Sequence, residues 1–165
     1  MSAYFIKLAP KKISSALEAW SWLLVAEKKL ILVTAFADVF FESADGIWFL
    51  DTLEGDLKHV CQSSEDLDAI LSSDEGKDHY LLSGFVDRAI REGRILGEEE
   101  CYDFRLHPVV GGAIDYSNIE KISAVVALHI RGQLHEQVRH LEPGTKISNF
   151  VFEPVKTPKP WWKLW

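Results

Sequence analysis

Cysteine is scarce in this chain: of 165 residues only Cys61 and Cys101 are cysteines. Two thiols, each inside an apolar pattern, make no disulfide framework and read as buried, reduced side chains. Long apolar runs are missing too. The best candidate, residues 20–41, is broken by Glu27, Lys28, Lys29 and Asp38, and a bilayer-spanning helix needs about 20 apolar residues. The N-terminus has no charged start followed by an apolar stretch and a small-residue exit, so no secretory signal is expected. A cytoplasmic protein without stable membrane insertion is the expectation.

The signatures of common chemistry are also absent. There is no G-x-G-x-x-G, and Gly111-Gly112 lacks the Lys-Ser/Thr of a phosphate loop. No G-x-S-x-G elbow occurs. His135 and His140 flank a metalloprotease-like stretch, but zinc helices space their histidines four apart. Five residues put the two imidazoles about 140° apart around a helix. His129 and His135, six apart, differ by about 120°. These histidines therefore read as surface or half-buried side chains. Cys101 follows Glu98-Glu99-Glu100, which disfavours a thiolate and so a nucleophile. The expectation is a protein without cofactor, metal or catalysis.

Basic residues are outnumbered, 18 against 25 acids, for a formal charge of −7. Residues 154–165 contain three lysines and no acid, so the remainder holds 15 basic against 25 acidic side chains. Such a body is repelled by phosphate backbones, which argues against nucleic-acid binding. It suits a basic partner, although acidity also serves solubility.

What is present is ample: 47% hydrophobic residues for a core. Residues 13–28 read as a helix capped by Ser14 or Ser15, with Leu17, Trp20, Leu24 and Glu27 at helical spacing. Residues 30–36 read as a buried strand. Asp45-Gly46 between two apolar runs predicts a β-hairpin, and Gly55 a further turn into a third strand at 57–61. A short acidic helix follows from Ser63 or Ser64, and a longer one over about 75–93, capped by Asp74 and stopped near Gly93. From near Ser123, Val126, Ile130, Leu134, Val138 and Leu141 mark the apolar face of a long helix ended by Pro143-Gly144. Residues 146–152 read as a terminal strand. The fold class is α+β: an antiparallel meander packed with helices over 1–96, a smaller α+β half with a long helix over 97–153, and a Trp/Lys/Pro-rich tail over 154–165.

The C-terminal half carries a resemblance in Tyr102-Asp103-Phe104, Pro108, Gly111-Gly112, Asn118, Gly132-Gln133-Leu134, Gln137, Leu141 and Pro143-Gly144. That pattern resembles the C-terminal domain of bacterial type VI secretion immunity proteins. Asp38-Val39-Phe40-Phe41, the stretch from Asp45 to Asp51, and Leu53-Glu54-Gly55 resemble the GAD-related domain that precedes it in that family. The two cover roughly residues 12–152.

The resemblance implies a non-enzymatic cytoplasmic antitoxin that binds a cognate protein toxin, a DNase in the characterised type. The alternative is a small acidic interaction module with an unrelated partner. The candidate partner-binding residues are Glu98, Glu99, Glu100, Asp103, His107 and Asp115, the last two bounding a Pro- and Gly-shaped loop. Trp161, Trp162 and Trp165 are added from the tail, where three readings stand open: a membrane interface, a partner pocket, or a cover for the protein's own apolar surface. The plain reading of the acidic triplet is a solvated helix start, and that of the loop is structural.

Overall fold

A computed structural model of the chain describes residues 3–142 and 144–155. Five strands form one antiparallel sheet in sequential order: β1 (Phe5–Ile6), β2 (Lys29–Thr34), β3 (Val39–Ser43), β4 (Gly46–Asp51) and β5 (Asp56–Cys61). The hairpin expected at Asp45-Gly46 is there, with Ser43 opposite Gly46 and Val39 opposite Leu50. Neither strand of the hairpin alternates apolar with polar, because both faces of the sheet are covered. Val39, Phe41 and Leu50 pack with Ile13, Trp20 and Leu128 on one face. Phe40, Ile47 and Phe49 pack with Leu67 and Leu81 on the other.

The helices are α1 (Pro10–Leu17), α2 (Ser64–Ser72), α3 (Asp74–Leu81), α4 (Ser83–Arg91) and α5 (Ala124–Val138). A two-stranded antiparallel ribbon of β6 (Glu100–Phe104) and β7 (Ile119–Ser123) leads into α5. The class is α+β, as expected.

Four expectations are corrected. The helix over 13–28 starts earlier, with Pro10 in its first turn, and ends at Leu17. Two 3-10 turns, Glu18–Leu23 and Val25–Glu27, follow, hinged at Leu24 with φ 57°. The expected apolar face needed Glu27, which offers nothing to bury. The helix over 75–93 is two helices broken at Leu82, φ 48°, and its cap is Ser73 rather than Asp74. The break has a packing cause: Leu81 joins the sheet cluster, whereas Val86 and Ala89 join a cluster around Tyr102 and Phe104.

The third correction concerns α5. Its buried face is Ala127, Leu128, Arg131, Leu134 and His135, while Val126 is exposed and Ile130 half-buried. The helix also stops at Val138, short of residue 143.

Last, residues 146–152 form no strand. They run back along α5, and two glutamines one helical turn apart stand in for a neighbouring strand. Gln137 donates to Val151 O at 2.9 Å and accepts from Val151 N at 3.1 Å; Gln133 does the same with Glu153 at 2.9 and 2.6 Å. The spacing works because one helical turn rises about 5.4 Å, close to the roughly 6.6 Å between alternate residues of extended chain.

α5 crosses the first 3-10 turn closely. A Cβ at Gly132 would lie 2.7 Å from both the Cβ and the carbonyl oxygen of Ala19, and the Trp20 indole donates to Leu128 O at 2.8 Å nearby. Helix propensity favours alanine at this position by about 1 kcal/mol, but forcing two backbones apart costs about 1–3 kcal/mol. Gly132→Ala is therefore expected to destabilise. A urea midpoint at or above that of the unsubstituted protein would show that the crossing relaxes freely.

Candidate partner-binding site

The site is built from α5 outward. Arg131 and His135 lie four residues apart, on one face of the helix, and both are buried, at 4% exposure each. Arg131 pairs with Asp103 Oδ1 of β6 at 2.7 Å. It also donates to Thr52 Oγ1 at 2.6 Å, to Tyr102 O at 3.3 Å and to the Phe36 carbonyl. Thr52 in turn donates its hydroxyl and its N–H to Asp38 Oδ1, at 2.6 and 2.9 Å.

One guanidinium thus joins the β2–β3 connection, the end of β4, the ribbon and α5. A planar fork with several donors can serve scattered acceptors in this way; an ammonium cannot. Burial opposes the charge on Arg131, and Asp103, Cys101 and Asp38 outweigh it, so its pKa is raised. Burial raises Asp38 to about 6, against the pull of Arg131 and Thr52.

His135 continues the joint toward the surface. Its Nε2 lies 3.0 Å from Thr52 O, and its ring fills the space beside Gly55, where any Cβ would overlap it. The His107 ring meets the His135 ring edge-on at 5.2 Å. Burial among these groups lowers the pKa of both histidines, that of His107 to about 3. The expectation of surface or half-buried histidines is thereby corrected for His129 and His135, which are both buried, as is His107.

His107 starts the loop, which is held from both ends. Its Nδ1 accepts from Val109 N at 3.3 Å, and its carbonyl accepts from Val110 N and Gly112 N. Gly111 sits at φ 94°. A side chain at Gly112 would collide with the Leu106 carbonyl. Asn118 closes the loop by donating to Leu106 O and Ala113 O, both at 2.8 Å, and accepting from Leu106 N. Asp115 caps the following turn through Ser117 N at 2.8 Å. Tyr116 is buried beneath the end of the loop, with Arg88 stacked 4.1 Å above its ring.

What this scaffold displays is apolar. Leu106, Val109 and Ile114 are 53%, 38% and 54% exposed. Large aliphatic side chains standing in solvent on a pinned loop are candidates for a partner contact. Exposed acids surround the area: Asp115 on the loop, and Glu54 and Asp56 on the β4–β5 turn that packs against His135.

The sequence-expected residues are divided by the structure. His107 and Asp115 bound the loop, where both also brace its backbone. Asp103 points inward onto Arg131. The triplet lies at the other end of β6, about 13 Å of extended chain away. There Glu99 pairs with Lys12 at 2.6 Å, Glu100 with Lys121 at 2.9 Å and with Gly97 N, and Glu98 is exposed. Trp161, Trp162 and Trp165 lie outside the described residues.

Sequence reading missed Arg131, Thr52 and Asp38. A signal for Arg131 existed: it follows Leu128 by three residues and precedes Leu134 by three, a charge inside an apolar stripe.

Among the described residues no group of three or more His, Cys, Asp or Glu side chains could hold a metal ion, and no helix is long and apolar enough to cross a membrane. Residues 62–135, which span α2 to α5 and include the whole loop, match the family described as T6SS immunity protein Tdi1, C-terminal. Among solved structures, the chain is similar to Atu4351 from Agrobacterium tumefaciens, with a TM-score of 0.55 and 17% identity over 79% of this chain and 67% of that one. Similarity at that level of identity is similarity of fold.

Proposed function

Because this chain carries a T6SS immunity protein Tdi1 C-terminal domain over residues 62–135, we propose that it neutralises a cognate toxin by binding alone, through the His107–Asp115 loop. The observation that carries this reading is the loop itself: exposed Val109 and Ile114, with exposed Leu106 just before them, on a backbone braced at His107, Asp115 and Asn118. A braced loop gives up little conformational freedom on binding, so more of its contact energy appears as affinity. The surrounding acids favour a basic surface on the toxin and speed the encounter. A nuclease, which needs basic surface to hold its substrate, is the toxin class this charge fits best.

In this reading the GAD-related half, residues 1–96, supplies the β4–β5 turn beside the loop. Residues 97–153 supply the loop and α5. The cytoplasm is where such a protein meets an incoming toxin.

The test is co-expression with the toxin encoded beside it, followed by a pull-down and a titration. Ile114→Asp puts a charge among the exposed aliphatic side chains and is expected to weaken binding by about 2 kcal/mol or more, about 30-fold in Kd. Thermal stability should be unchanged, since Ile114 is largely exposed. Full affinity in Ile114→Asp and Val109→Asp would remove the loop from the interface. Glu98→Lys tests the triplet separately, because Glu99 and Glu100 already serve the fold. A neighbouring toxin that does not bind, together with a basic partner of another kind that does, would favour the acidic interaction module.

A further inference from the structure

The segment that runs back along α5 has a second edge. Val151 and Glu153 turn their N–H and C=O groups onto Gln137 and Gln133. In extended chain, successive residues direct these groups to opposite sides, so those of Phe150 and Phe152 face away from α5. Among the described residues they have no hydrogen-bond partner. The side chains around them are apolar and open to solvent: Val151 is 70% and Phe152 44% exposed. The Phe150 and Phe152 rings stack at 6.1 Å, which puts them on one side of the chain. A free strand edge with exposed apolar side chains is a template for another strand.

We infer that the occupant of this edge is the same segment of a second copy, paired antiparallel about a two-fold axis at Val151. The order Phe150-Val151-Phe152 reads the same in both directions. Pairing about Val151 therefore sets Phe150 of one copy opposite Phe152 of the other. These are the residues whose N–H and C=O face outward, so each such pair exchanges two hydrogen bonds. Val151 then meets its own counterpart at a position without hydrogen bonds, where side chains come closest.

The flanking residues agree with this register. Ile147 falls opposite Val155, and Glu153 opposite Asn149, so no like charges meet. Pro154 falls opposite Ser148 and has no N–H to give, which ends the pairing there. The neighbouring registers that keep the same groups outward set Glu153 opposite Ile147 or opposite Val151, an acid against an aliphatic side chain. A contact of the same patch on both copies is the commonest form of association between identical subunits. It is small beside the roughly 800 Å² per partner of a stable interface, so a weak dimer is expected, with a Kd of about 0.1 mM.

The test uses the full chain and needs no toxin, so it stands or falls apart from the proposed function. Sedimentation equilibrium should show a mass that rises from monomer toward dimer with concentration. Phe152→Pro removes an outward N–H and leaves the N–H groups of Val151 and Glu153 to the glutamines; it should weaken the dimer at least about tenfold. The double substitution F150K/F152K sets like charges opposite each other and should do the same, as should F150E/F152E. Mixing the Lys and Glu proteins should restore the pairing, now between unlike copies. The Trp20 indole, bonded to Leu128 O, should keep its chemical shift throughout and so report intact folding. A monomer mass for the unsubstituted chain up to about five times the expected Kd would overturn the inference. So would a dimer that survives these substitutions, or Lys and Glu proteins that stay apart when mixed. A chain that stays monomeric but loses its toxin in Phe152→Pro would make the toxin the occupant, and would overturn it as well.

Discussion

Replacing Arg131 with methionine is expected to remove about 3–5 kcal/mol of folding free energy, the usual cost of breaking a buried ion pair on one side. Native domains hold only about 5–15 kcal/mol in total, so this one substitution takes a large part of it. The cost follows from the groups left behind. Asp103 loses its partner at 2.7 Å, and Thr52, Tyr102 and Phe36 each lose a donor. Arg131→Lys should recover only part, because a single ammonium cannot span acceptors on three separate segments. The double substitution R131M/D103N should be more stable than Arg131→Met alone, since the unpaired charge of Asp103 is gone. Urea midpoints of the three variants decide the matter: a midpoint for Arg131→Met within error of the unsubstituted protein would mean that the joint does not hold the fold together. Because β6 leads directly into the loop, a folded Arg131→Met protein should also bind the toxin more weakly than its exposed surface alone would suggest.

Stability is further expected to fall as pH drops below about 6.5, the ordinary histidine pKa. His107 and His135 have lowered pKa values in the folded protein, mainly through burial, and His107 is brought to about 3. Below 6.5 the unfolded chain takes up protons that the folded protein refuses. The contribution of these groups is therefore complete above about 6.5 and is lost progressively as pH falls, for His107 toward about 3. Asp38 works the other way. Burial raises it to about 6, so between 6 and its usual value near 3.8 the folded protein takes up a proton first and gains stability.

Between about 6 and 4 the opposite slopes of His107 and Asp38 largely cancel, so the net loss there comes from His135, whose pKa burial lowers. His107→Asn keeps an acceptor for Val109 N and removes one of the two histidine titrations, so its stability should fall less steeply across that window than that of the unsubstituted protein. Urea titrations at stepped pH would show the difference, and parallel curves for the two proteins would sink this account.

Local patterns carried much of the fold. Asp45-Gly46 announced the hairpin because few residue pairs accept the turn's backbone angles. Ser63-Ser64 announced the start of α2, and it is the Ser63 hydroxyl that caps an otherwise unpaired N–H. The residues quoted for the C-terminal resemblance lie largely within the stretch that matches the immunity family, 62–135.

The misreadings share one cause, which is that each needed knowledge of what a segment packs against. The helix over 75–93 breaks at Leu82 because its two halves face different clusters. Residues 146–152 have the composition of a strand but find glutamine side chains where a strand would be. The buried face of α5 was assigned to Val126 and Ile130, since arginine and histidine are expected outside. Arg131 and His135 are inside because acceptors from three distant segments meet there.

Residue order by itself therefore settled the α+β class, the meander and its hairpin, the acidic composition and the likeness of residues 62–135 to the immunity family, all of which depend on neighbours in the chain or on composition. Only the tertiary structure decided that Asp103 and His107 serve the fold, that the acidic triplet stands at the far end of β6 from the loop, and that Leu106, Val109 and Ile114 face solvent. Burial and partnership are properties of segments brought together from far apart, and a charge or an aliphatic side chain has no inside or outside until they meet.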